Sequence, residues 1–250
     1  GARALDTLRN GVERAIGHLG RGFLAHPANS ELRQALKQGE LTTQDYYRQL
    51  LRLVYRLLFL FVAEDRDLLL APDANDEAKQ RYEHYSTKRL RDLADTIPGG
   101  RHPDRYEALK IIMRSLGSDE GAPGLGLPPL GGFLFSERAT PHLMHAQLAN
   151  GHLLHAIRAL AFTNHDDSRR PVDYKNLGSE ELGSIYESLL ELHPHTDTDA
   201  ATFRLEVAAG NERKTTGSYY TPTSLIRLLL DSALDPVINE ARVWAIEPDN

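Results

Sequence analysis

The chain has no cysteine among its 250 residues. That excludes disulfides and thiolate metal sites, and it fits a reducing compartment such as the cytoplasm. It also lacks an excess of positive charge: the formal net charge is −6, so any contact with nucleic acid has to come from local patches. Long apolar runs are missing too. In the most apolar stretch, "LLRLVYRLLFLFVAED", only Leu57 to Ala63 is free of charge, far short of the roughly 18–20 residues a membrane span needs. No signal peptide is visible, and the opening "GARALDTLRNGVERAIGHL" reads as the inside of a helix, so the chain is expected to be a piece of a larger protein. What is present, 41% hydrophobic and 26% charged residues, describes a soluble globular protein with room for a substantial core.

The periodicity is mostly helical. Helices are expected over 3–25 and 30–38, and a long one follows Thr42 or Thr43, either a good N-cap. On it, Arg48, Arg52 and Arg56 recur every four residues and share one stripe of an otherwise apolar helix. A phosphate track is one reading of that stripe. The acidic balance favours the other, ion pairing with Glu64, Asp65, Asp67 and other acids. "APDAND" breaks the helix; "STKRLRDLADTI" and "DRYEALKIIMRSLG" are further helices. The Gly/Pro-rich "SDEGAPGLGLPPLGGFLFSE" has no Gly-Lys-Ser/Thr ending, so it reads as a surface loop pinned by Leu125, Leu127, Phe133 and Phe135 rather than a phosphate cradle. "NGHLLHAIRALAFT" is helical, "NHDDSRRPVDYKN" a polar joint, and "LGSEELGSIYESLLELHP" a helix with Ser179 as N-cap. "HPHTDTDA" reads as a loop, and "TFRLEVAAG", alternating Phe203, Leu205 and Val207, as the best strand. The fold class is therefore mainly α, with a short β element near 202–220.

Several patterns invite chemistry. His142/His145 and His152/His155 stand at i, i+3, a spacing that can aim two imidazoles at one ion, but no carboxylate follows at matching spacing, so no metal site is assigned. "HPDRYEALK" holds Pro103-Asp104 and Glu107…Lys110. A restriction-type nuclease core needs its acid and lysine one residue apart on a strand; here two residues intervene on a helical pattern. "RKTTGSYYTP", residues 213–222, joins a Gly-Ser turn and two tyrosines to a helix start, with Thr221 as N-cap and Pro222 in the first helical position. Free amides at such a start favour a carboxylate or phosphate, and the faces of Tyr219 and Tyr220 suit a flat ring or a sulfonium cation. On these local grounds alone an ordinary strand–turn–helix joint is the favoured reading.

"GSYYTP" ahead of an amphipathic helix resembles the S-adenosylmethionine (AdoMet) pocket motif that opens the catalytic domain of gamma-class, adenine-specific DNA methyltransferases. The resemblance extends upstream. "YRLLFLFVAEDRDLL", "LGGFLF", "HLLHAIRAL", "VDYKNLGSEELGSIYESLLEL" and "RKTTGSYYTP" stand in the order of the large single-chain methylases of type IIG restriction–modification and of BREX- and DISARM-like phage-defence systems. The match spans roughly residues 45–235.

The resemblance implies that Thr221 binds the methionine moiety of AdoMet, while Gly217, Ser218, Tyr219, Tyr220 and Pro222 shape the pocket wall. It implies that Arg213 and Lys214 order the segment or approach DNA phosphate, and that the helix around Tyr186 and Glu187 packs the helical region onto a Rossmann-like catalytic domain. The family's glycine-rich first motif and its Asn-Pro-Pro-aromatic motif, which holds the flipped adenine, are absent from these 250 residues. No catalytic residue is therefore assigned, and the chain alone is expected to be inactive. The expected layout is a helical spacer over 1–165, a connecting helix and loop over 166–200, and the leading segment of the methyltransferase domain over 201–250. The expected partners are double-stranded DNA and other defence-system subunits, with no membrane. The alternative is a non-catalytic helical interaction or DNA-positioning module of a defence complex.

Overall fold

Thr42 starts the helix around which the rest packs. Its side chain accepts a hydrogen bond from the Asp45 amide at 3.0 Å, capping α3 (Thr43–Asp65). In this computed structural model, which describes residues 2–96, 100–165 and 167–207, every residue of α3 from Leu53 to Ala63 is buried. A helix that is apolar on all sides has to be the centre of its domain.

The other elements wrap it. In chain order they are α1 (Ala2–Ala25), α2 (Ser30–Gln38), α4 (Asp76–Glu83), α5 (Thr87–Thr96), α6 (Asp104–Gly117) and α7 (Asn150–Ala161). A hairpin follows, β1 (Phe162–His165) with β2 (Ser168–Pro171), then α8 (Ser179–Leu190), then a second hairpin, β3 (Leu192–Asp197) with β4 (Thr202–Val207). The described residues are thus mainly helical with two small antiparallel sheets. Among them no helix is long and apolar enough to cross a membrane.

Tyrosines tie the layers together. Tyr46 of α3 donates to the Gly20 carbonyl of α1 at 2.7 Å, and Tyr47 and Tyr55 donate to the Leu189 and Leu182 carbonyls of α8 at 2.6 and 2.5 Å. Tyr106 reaches the Leu143 carbonyl and Tyr174 the Leu160 carbonyl. A buried phenol has to find an acceptor, and each such bond contributes about 1 kcal/mol net. Burial pushes the hydroxyl pKa of all five above the ordinary tyrosine value.

α1 and α7 run antiparallel in close contact, and two glycines permit it. A Cβ on Gly11 would lie 2.5 Å from the Ala159 carbonyl oxygen, and one on Gly22 would lie 2.6 Å from His152.

Most helices fall where the periodicity puts them, and β4 matches the expected strand. Four local readings change. "HPHTDTDA" is no loop: its first part is β3, paired residue for residue with β4 from Leu192↔Val207 to Asp197↔Thr202. The ladder and the burial of Phe203 override a polar composition that reads as coil. The polar joint contains the β1–β2 hairpin, in register from Phe162↔Pro171 to His165↔Ser168. The N-cap of α8 is Gly178, with Ser179 as its first residue. Finally, α4 follows the "APDAND" break, capped by Asn75, whose side chain accepts from the Ala78 amide at 2.8 Å. Asn75 before Asp76 and Glu77 is the signal that marks it.

Candidate functional site

The arginine stripe of α3 divides: its first member pairs with an acid, as the acidic balance favours, and its last is buried among carbonyls and sulfur. Arg48 reaches Asp45 on its own helix at 3.6 Å. Arg52 donates to the Ala139 carbonyl at 3.0 Å and stacks on Phe133. Arg56 is fully buried. Its Nε donates to the Leu134 carbonyl at 2.6 Å and one Nη to the Ser136 carbonyl at 2.7 Å. The other Nη faces the sulfur atoms of Met113 and Met144, at 3.7 and 3.5 Å, the chain's two methionines. Glu64, Asp65 and Asp67 do not partner the stripe. Carbonyls and soft sulfur replace them because the Gly/Pro-rich loop, not an acidic helix, lies over α3 at that level. Burial lowers the Arg56 pKa to about 10, so it stays a cation at neutral pH, closed off from any phosphate.

The loop it clamps is ordered as expected: Leu127, Phe133 and Phe135 are buried, and Leu125 packs partly against the core.

Glu64 and Asp65 serve the next helix. The Glu64 carboxylate accepts from the Thr87 and Lys88 amides at 2.9 and 2.8 Å and from the Tyr82 hydroxyl at 2.6 Å. It thereby caps the N-terminus of α5 from outside that helix. Asp65 takes a two-pronged bond from Arg91, at 3.0 and 2.9 Å, and Arg91 lies 4.6 Å over the Phe61 ring.

The candidate metal and nuclease residues have structural partners. Gln49 donates to His142 Nδ1 at 3.0 Å and accepts from the His142 and Leu143 amides. His152 packs on Gly22, and His155 stacks on His18 with ring centroids 5.4 Å apart. Asp104 accepts from the Asn150 amide at 2.8 Å, a bond that holds its carboxyl below the usual carboxylate value. Lys110 donates to Glu107 at 2.8 Å and to the Ala146 carbonyl at 2.6 Å. Among the described residues no three His, Asp or Glu side chains are grouped to hold a metal ion.

Arg213, Lys214, Gly217, Ser218, Tyr219, Tyr220, Thr221 and Pro222 lie outside the described residues. What the structure describes is the frame ahead of them. Tyr186 is buried edge-on against Tyr55, centroids 5.1 Å apart, fixing α8 to α3. Phe203 of β4 is buried between Tyr46 and Tyr47 and over Gly20, where a Cβ would lie 2.6 Å from its ring. Lys37 of α2 pairs with Asp199 in the β3–β4 turn at 2.7 Å. Phe203 therefore anchors the start of β4 against α1 and α3.

The chain matches no protein-family model, no curated protein and no solved structure. The cluster that sequence reading missed is on α1. Arg14, His18 and Arg21 share a stripe there, and its four-then-three spacing was the available signal.

Proposed function

We propose that this chain is the helical part, and one wall of the cofactor pocket, of an adenine-specific DNA methyltransferase from a restriction–modification or phage-defence system, acting in the cytoplasm. The ordered series of stretches that ends in "GSYYTP" carries this reading. It is supported by the way the upstream stretches meet. Arg56 bonds to Leu134 of "LGGFLF", Tyr55 to Leu182 of α8, and Phe61 packs on Tyr174, which bonds to Leu160 of α7. Four separated stretches thus meet in one core with α3 at its centre.

AdoMet supplies the methyl group, and the exocyclic amine of a flipped-out adenine receives it. This chain's share is to frame and to bind. Thr221 and the 217–222 turn would hold the cofactor, Arg213 and Lys214 would approach the DNA backbone, and defence-system subunits are further partners.

The test uses the full-length protein. Calorimetric titration with AdoMet is expected to show binding that Thr221→Ala weakens by about tenfold, or ~1.4 kcal/mol, together with methylation of adenine in duplex DNA. If full-length protein carrying Thr221→Ala binds AdoMet as the wild type does, the segment is no pocket wall. A non-catalytic helical interaction or DNA-positioning module then becomes the better reading.

A further inference from the structure

The chain is acidic overall, yet one ridge is basic. Arg14, His18 and Arg21 follow one another on the outer stripe of α1; α7 crosses it and adds His152 and His155, and β4 adds Arg204. Between α1 and β4 lies an open groove of about 630 Å³, lined among others by Arg14, His18, Arg21 and Arg204 and by one carboxylate, Glu13.

The geometry inside it is specific. One Arg21 Nη lies 3.2 Å from His18 Nδ1. A guanidinium only donates, so Nδ1 accepts and the ring proton sits on Nε2. Gly17 lies beside this contact: a Cβ there would stand 3.0 Å from the other Arg21 Nη, so the guanidinium folds back close along the bare backbone. The carboxylates nearby are engaged. Glu13 pairs with Arg9 at 3.3 Å, and Glu206 takes both Arg204 and His195. Among the described residues, neither Arg14 nor Arg21 has a carboxylate within ion-pair distance.

We propose that this groove is a phosphate-binding site in which Arg14, Arg21 and His18 are the donors. Guanidinium forks match the oxygens of a phosphate group, and two arginines with a third polar donor suit an anion of one or two charges. The same chemistry comes from free phosphate or from the phosphodiesters of DNA. The site stands independently of the methyltransferase reading. Its electrostatics fit: the His18 pKa is lowered to about 4, first by burial, then by Arg21, His155, His152 and Arg14. His152 is lowered too, by burial, Arg21 and His155. A bound anion reverses the charge part of that effect, so binding draws protons in.

Histidine-ring NMR on the full chain tests this, with inorganic phosphate, sulfate and a short DNA duplex as separate probes. Sulfate keeps its charge across the range and so isolates the protein's own titration. The expected result is that sulfate moves the His18 ring resonances, raises its pKa from about 4 by about one unit, and binds roughly fivefold more tightly at about pH 4 than at about pH 6. Arg21→Gln and the exposed Arg14→Gln should each weaken binding about tenfold. Competition identifies the source. If duplex DNA moves the same resonances and phosphate displaces it, the ligand is a phosphodiester; if only phosphate and sulfate act, it is the free anion. Unmoved His18 resonances with all three probes, or equal affinity in folded Arg14→Gln and Arg21→Gln, would overturn the proposal.

Discussion

Arg56 and the two arginines of the Arg14–His18–Arg21 ridge are all cations with no carboxylate in contact among the described residues, yet they are opposite in kind. Arg56 is sealed in the core, and its Nε and both terminal nitrogens face two carbonyls and two methionine sulfurs. A buried cation left partly unsatisfied would cost several kcal/mol, so the loop over α3 folds to meet it. On α1 the solvent covers that cost, and Arg21 gives one N–H to His18 while its other donors remain available. An engaged cation holds the fold, and a half-exposed one with unspent donors can bind a ligand. The Glu64–Asp65–Arg91 cluster lies between them, because there the charges answer each other.

The sharpest break of the comparison is Arg56→Met. It leaves two buried carbonyls without donors and is expected to cost about 3–5 kcal/mol in urea unfolding. Arg56→Lys should recover little, since one ammonium cannot span the positions a planar fork reaches. A stability loss below ~1 kcal/mol would place Arg56 with the surface ridge instead.

Next comes Glu64→Gln, expected to cost about 2 kcal/mol, because a neutral amide accepts less strongly from the two α5 amides and no longer answers the helix dipole. Hydrogen exchange should accelerate first at Thr87 and Lys88; uniform acceleration across the chain would mean that Glu64 does not act through α5.

A smaller effect belongs to His18. Its folded pKa of about 4 lies below the ordinary 6.5, so the unfolded chain binds the proton more readily. The stability this ring contributes is complete above about pH 6.5 and is lost as pH falls toward about 4. Because the ring is only half-buried, solvent screening limits the loss to roughly 1 kcal/mol. His18→Gln should flatten that part of the pH profile; an unchanged slope would assign the acid sensitivity to other groups.

The smallest change is Arg14→Gln, expected to alter stability by less than about 0.5 kcal/mol, while removing a charge from the ridge. A larger loss would make that ridge structural, as Arg56 is.

Legibility in the sequence followed range. The cap at Thr42 or Thr43, the apolar faces of α3 beside its arginine stripe and the alternation of Phe203 and Leu205 are local signals, and the structure carries each of them. The candidate site divides differently. Residues 213–222 lie outside the described residues, and their reading as a pocket wall rests on resemblance alone. The His18–Arg21 ridge has a spacing visible in α1, but nothing in α1 announces that His155 will stack on it or that β4 will close the groove.

By itself, then, the chain determined its main helices and β4, because periodicity, caps and strand alternation act within a few residues of one another. Tertiary structure decided that "HPHTD" becomes a strand, that Arg56 binds carbonyls rather than acids, and that Glu64 caps α5. Each of those depends on a partner brought near only when α3 is buried, and a polar group in a closing core takes whichever acceptor or donor the packing leaves beside it.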